Sequence, residues 1–208
     1  MKKIFLALFL FVATFAVAQE RSAVQLLDEA VAKIEKEAPV QMLFDYTVCD
    51  SEGNKQFSDN GSIKLNGGSY ALLLTQLKMW CDGVTQWVYM AANDEIYVSD
   101  ASSDESQIYN PVFLMNLHKN GYNASLEREK GDFVVTLLPS AGEQFSIEKV
   151  VIGLNGETLR PGSLRVYMGS QGWVDIAVSS YKPRCMFENR VYRCPLEDFP
   201  TAEVIDMR

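Results

Sequence analysis

The sequence predicts a mainly β chain with two or more helices, folded as one domain. Three observations lead there. From Gly61 to Asp100, four short β-prone runs are separated by Asn66-Gly67-Gly68, Asp82-Gly83 and Asn93-Asp94. Those are the turn pairs of antiparallel hairpins, so the stretch reads as a meander. From Tyr122 onward β-prone runs return about every ten residues, the spacing of an all-β barrel or sandwich. Two further segments, Ser22–Ala38 and Val112–Lys119, carry helical signals instead.

In chain order, Ser22 caps a helix whose Val24, Leu27, Val31 and Ile34 form one apolar stripe. Pro39 ends it. Val40–Cys49 is a strand with Met42, Phe44, Tyr46 and Val48 on one face, and Lys55–Leu65 returns after a polar turn. In the meander, Tyr70, Leu72 and Leu74 point one way and Ala71 and Leu73 the other. Thr85, Trp87 and Tyr89 share one face of Val84–Met90; Val84, Val88 and Met90 share the other with Gln86. Neither strand has a polar side. An antiparallel sheet ordinarily leaves one face wet, so a helix, a second sheet, a ligand or a partner must cover the other.

Ala101–Ser106 is small, polar and acidic and reads as a loop. Asn110-Pro111 then opens the second helix, which Gly121 stops. Val112, Phe113, Leu114, Met115 and Leu117 leave it little polar surface. The remaining runs are Ala124–Glu127, Asp132–Leu138, Phe145–Ile152, Leu164–Met168, Trp173–Ser180 and Val191–Arg193.

Residues 1–18 read as a signal peptide: Lys2-Lys3, an apolar Ile4–Val12, and Ala16-Val17-Ala18 before the cut. The mature domain is then 19–208, exported and soluble. Without Lys2 and Lys3, 17 basic residues face 27 acidic ones, a net charge of about −10. That opposes nucleic acid and anionic membrane surfaces as partners. Export permits disulfides. Cys185 and Cys194 flank a segment that reads as a hairpin tip, so their pairing is the simplest of three arrangements; Cys49 and Cys81 would remain.

The residues nominate no reaction. His118 is the single histidine, so a histidine-based triad lacks support. The acids are scattered, no metal or cofactor is expected, and Gly67-Gly68 joins strands rather than opening a helix over a phosphate. What stands out is apolar surface. A curved sheet under two helices encloses either an apolar cavity or a filled core, and sequence pattern does not separate the two.

Five motifs, in order, carry a resemblance. They are Gly61-Ser62-Ile63-Lys64-Leu65; Cys81-Asp82-Gly83-Val84-Thr85-Gln86-Trp87-Val88-Tyr89; Asn110-Pro111-Val112-Phe113; Gly131-Asp132-Phe133-Val134-Val135-Thr136-Leu137; and Phe199-Pro200 with Val204-Ile205-Asp206. With the N-terminal helix, the chain resembles the LolA-like outer-membrane lipoprotein carriers over nearly its whole length. The resemblance implies an unclosed antiparallel β-barrel (half-barrel) with a helical lid over a hydrophobic cavity. It implies a monomer of the Gram-negative periplasm that passes triacylated lipoproteins from an inner-membrane exporter to an outer-membrane acceptor. By position it puts Tyr70, Leu72, Leu74, Trp87 and Tyr89 of the sheet, Val112 and Met115 of the lid, and Leu27, Val31 and Ile34 of the first helix against acyl chains. One departure is specific. The carriers have an Arg before a Pro after the first hairpin, which ties the lid shut; Asn66-Gly67-Gly68 stands there. The alternative is an exported protein-interaction module of the same fold without lipid cargo.

Overall fold

The computed structural model describes residues 21–101, 110–142 and 146–208. The expected signal peptide, Phe145 and most of the acidic loop lie outside them.

Helix α1 (Ala23–Glu37) starts on a reciprocal cap: Gln25 N donates to Ser22 Oγ (3.2 Å) and Ser22 N to Gln25 Oε1 (2.9 Å). It buries Ala23, Leu26, Leu27, Ala30, Val31 and Ile34. Val24, expected in the stripe, is 39% exposed. Two alanines set the true stripe, letting the helix approach the sheet closely.

Twelve strands then form one sheet. They are β1 (Val40–Cys49), β2 (Lys55–Asn66), β3 (Ser69–Leu73), β4 (Leu77–Cys81), β5 (Thr85–Met90), β6 (Glu95–Asp100), β7 (Tyr122–Glu129), β8 (Asp132–Pro139), β9 (Lys149–Leu154), β10 (Pro161–Tyr167), β11 (Trp173–Lys182) and β12 (Glu203–Asp206). The order is β12-β6-β5-β4-β3-β2-β1-β11-β10-β9-β8-β7. Two meanders are therefore sewn together by β1 with β11, an antiparallel pair with a register shift at Leu43/Phe44. Among the described residues only β12 with β6 is parallel. The edge strands β12 and β7 do not pair, so the barrel stays open, a half-barrel with two α-helices among the described residues.

Helix α2 (Pro111–Met115) is shorter than the expected Val112–Lys119. Asn110 caps it through Val112 N (2.9 Å), and Leu117–Lys119 continues as a separate 3-10 turn. Val84, expected in β5, is 74% exposed in the preceding turn. Val191–Arg193 is no strand: Asn189–Tyr192 is a 3-10 turn, and the expected hairpin tip does not form.

Both faces of the first meander are covered, by different things. On the concave face Ile63, Leu65, Tyr70, Leu72 and Met79 join α1, α2, β8 and β9 in one buried cluster. On the convex face Ala71, Trp80 and Tyr192 are buried, with Trp87, Tyr89, Phe187 and Phe199 packed around them. The cover there is the C-terminal strap, Arg184–Pro200. Phe199 lies 4.3 Å from Tyr89 and 5.8 Å from Trp80, ring to ring, with Lys78 Nζ 5.2 Å above it. The strap needs that greasy outer face, which is why β3 and β5 have no polar side.

The candidate ligand cavity

A cavity of about 390 Å³ lies in the concavity on the β1–β11 side. Strand alternation builds it. On β1, Met42, Phe44, Tyr46 and Val48 point in while Leu43 and Asp45 point out. β11 adds Val174, Ile176 and Val178 in register, since Val178 sits opposite Phe44, Ile176 opposite Tyr46 and Val174 opposite Val48. β10 adds Ser163, Leu164 and Val166; Ile63, Leu72 and Leu74 close the other wall. Pro111 and Leu114 of α2, with Ile147, Met168 and Gln171, complete the lining. Gly61 is a spacing requirement. A Cβ there would stand 2.4 Å from Leu74 Cδ2 and 2.8 Å from the Phe44 ring.

Among the described residues no charged side chain lines this space; Tyr46, Ser163 and Gln171 are its polar members. Burial pushes the Tyr46 hydroxyl above its ordinary value, with Asp59 adding to the effect. The wall is graded. Met42, Phe44, Ile63, Leu72 and Leu114 are buried, whereas Val48, Leu164, Met168, Val174, Ile176 and Val178 are half-buried side chains facing open space. Aliphatic groups left facing a cavity forfeit dispersion contacts and stay poorly hydrated. An apolar guest restores those contacts.

Of the residues expected at an acyl-chain site, Leu72 and Leu74 line the cavity. Tyr70 shares their face, but its hydroxyl donates to Gln86 Oε1 (2.7 Å), away from the lining. Leu27, Val31 and Ile34 are packed in the core. Met115 is buried and Val112 half-buried; α2 presents Pro111 and Leu114 instead. Trp87 and Tyr89 are on the opposite face, beneath the strap, because the β4–β5 register places Trp87 opposite Trp80. Cys185 and Cys194 are both free, as are Cys49 and Cys81. The segment between Cys185 and Cys194 follows the sheet surface as a 3-10 turn rather than folding back as a hairpin. The residues missed, on β1, β10 and β11, alternate apolar and polar in the sequence, but their convergence depends on a pairing between distant strands.

Ionic contacts tie α1 at two points, in its second turn and at its C-terminal end. Arg160 donates from Nε to Glu37 Oε2 (3.2 Å) and from Nη2 to Oε1 (3.0 Å), and its guanidinium lies 4.6 Å over the Tyr181 ring. That fork holds the Glu37 carboxyl below its ordinary value, and Tyr181 adds to the effect. In the second turn Asp28 accepts from Lys119 Nζ (2.9 Å) and lies 3.3 Å from His118 Nε2. The Lys119 hydrogen bond lowers the Asp28 carboxyl pKa. His118 is the middle residue of the Leu117–Lys119 turn, with a side chain only 5% exposed. The exposed Asn66-Gly67-Gly68 turn carries no such tie, whereas Arg160 does, and it too precedes a proline.

An unclosed half-barrel with helices over an open trough, lined among the described residues by apolar and a few uncharged polar side chains, is the geometry of a binding fold. The family described as "Outer membrane lipoprotein carrier protein LolA" matches residues 12–170, and the chain belongs to it. Residues 171–208, with β11, the strap and β12, lie beyond the match. Among solved structures, an uncharacterized conserved protein from Thermus thermophilus is 10% identical with a TM-score of 0.51, over 86% of this chain and 98% of that one. A LolA superfamily protein from Nitrosomonas europaea is 12% identical (TM-score 0.45; 85% and 99%). The MucA/MucB complex of Pseudomonas aeruginosa gives 13% identity (TM-score 0.43; 84% and 62%). No curated protein sequence matches the chain.

Proposed function

We propose that this chain is a periplasmic carrier that shields acyl chains of lipoproteins, or of another amphiphile, and moves them toward the outer membrane. Supply by an inner-membrane exporter and delivery to an outer-membrane acceptor are part of this reading, and family membership supports them. The observation that supports the reading is the open apolar trough between β1, β11 and α2, lined by no charged side chain among the described residues. Its volume falls in the range of small-molecule sites, which are mostly apolar with few polar anchors. Each methylene moved from water into it is worth about 0.8 kcal/mol. Cargo is therefore held without polar recognition, and with little regard to the peptide attached.

The test is Val178→Glu, with Ile176→Glu as its companion. Both positions are half-buried and face the trough, so a carboxylate reaches water without unfolding the sheet. Binding of a fluorescent fatty acid should fall at least tenfold in both while the far-ultraviolet circular dichroism stays unchanged. Undiminished binding in both variants would favour a protein-interaction module over a lipid carrier.

A further inference from the structure

We infer that the trough takes one acyl chain at a time, of about sixteen carbons, so that the cargo this chain carries best is a single-chain amphiphile. The inference rests on the carrier reading above and fixes its stoichiometry. Three observations meet here.

The first is volume. A cavity of about 150 Å³ accepts a benzene ring, about 25 Å³ for each carbon. On that scale the cavity of about 390 Å³ accepts about sixteen carbons.

The second is shape. The trough follows β1 from Met42 to Val48, six residues at about 3.3 Å each, or roughly 20 Å. One leaflet of a bilayer is about 15 Å of hydrocarbon, so one lipid chain fits lengthwise.

The third is that the rest of the concavity is already full. Under α1 the side chains of Leu27, Val135, Leu137, Val150 and Leu154 are 0% exposed, and no residue of α1, β8 or β9 lines the trough. Ionic ties at Asp28 and Glu37 hold α1 over that half. A second or third chain would have to displace a packed helix. Among the described residues the lining carries no charge, so a headgroup stays outside in water, where its charge is not desolvated.

The experiment uses the full mature chain and saturated fatty acids from eight to twenty carbons. The dissociation constant should tighten about fourfold per methylene, which is about 0.8 kcal/mol, and stop improving near sixteen carbons. Val178→Trp should move that break to shorter chains; Ile176→Phe serves the same purpose if the tryptophan variant does not fold. Native mass spectrometry would then compare a monoacylated and a triacylated lipopeptide of the same peptide. One molecule of either should bind, the triacylated form no more tightly. Preferential binding of the triacylated lipopeptide, or two fatty acids per chain, would overturn the single-chain inference and leave the carrier reading standing. Binding of no acyl compound at all would overturn both.

Discussion

Arg160→Ala tests how the helix is held over the sheet. The guanidinium makes two hydrogen bonds to Glu37, at 3.2 and 3.0 Å. Hydrogen bonds to charged groups contribute roughly 1.5–3 kcal/mol when shielded, and exposed ion pairs under about 1 kcal/mol. The Glu37 side chain is 14% exposed and that of Arg160 33%, so the pair belongs between those limits, at about 1–2 kcal/mol. Loss of the contact over the Tyr181 ring adds about 0.5 kcal/mol. Arg160→Ala should therefore cost about 2 kcal/mol, lowering the Tm by about 4–8 °C for a domain of this size. The pH dependence has a definite sign. Because Glu37 titrates below its ordinary value in the folded state, the pair's contribution is complete above the usual carboxylate range. It fades as pH falls through the depressed value. Melts followed by circular dichroism at neutral pH and in acid would show the wild-type advantage at neutrality and its shrinkage as the carboxyl protonates. A double-mutant cycle with Glu37→Gln isolates the pair. Zero coupling at neutral pH, or an advantage that persists unchanged in acid, would refute the assignment.

Other expectations concern packing and thiol chemistry. Gly156→Ala would place a Cβ 1.9 Å from the Gly131 carbonyl oxygen; it should cost about 3 kcal/mol or more, whereas Gly68→Ala, with nothing within 4 Å, should stay within about 0.5 kcal/mol of wild type in a urea titration. Phe199→Ala should loosen the strap, costing about 2 kcal/mol and red-shifting tryptophan emission as Trp80 meets water; an unchanged spectrum would deny the strap its covering role. Burial pushes the Cys194 thiol up to about 12, so iodoacetamide under mildly alkaline conditions should modify Cys185 first, and the reverse order, read by peptide mass spectrometry, would contradict the structure.

The sequence made the local pieces legible. The Asn-Gly and Asp-Gly pairs gave the first meander its hairpins, and the Ser22 and Asn110 caps marked the helix starts. The doubly apolar β3 and β5 announced a covered outer face, although what covers it, the strap, is held by contacts from the far end of the chain. The candidate site was legible on one wall only. Leu72 and Leu74 follow from alternation within a hairpin, while Val174, Ile176 and Val178 enter through the β1–β11 pairing, which no short turn dictates. Trp87 and Tyr89 were misplaced for the same reason: alternation defines two faces, but which one is concave depends on how the whole sheet bends. The Arg160–Glu37 tie spans 123 residues of sequence and leaves no local signature. Cys185 and Cys194 bracket a segment whose length suits a hairpin, but the aromatic cluster around Trp80 draws it flat against the sheet instead.

The most direct test of the central claim is a crystal structure of the chain soaked with a sixteen-carbon fatty acid. The trough should hold elongated density running beside β1 and β11 from Met42 toward Val48, with the carboxylate in solvent. A concavity closed by its own side chains, with Phe44 and Leu74 filling the space and the fatty acid bound nowhere, would contradict it.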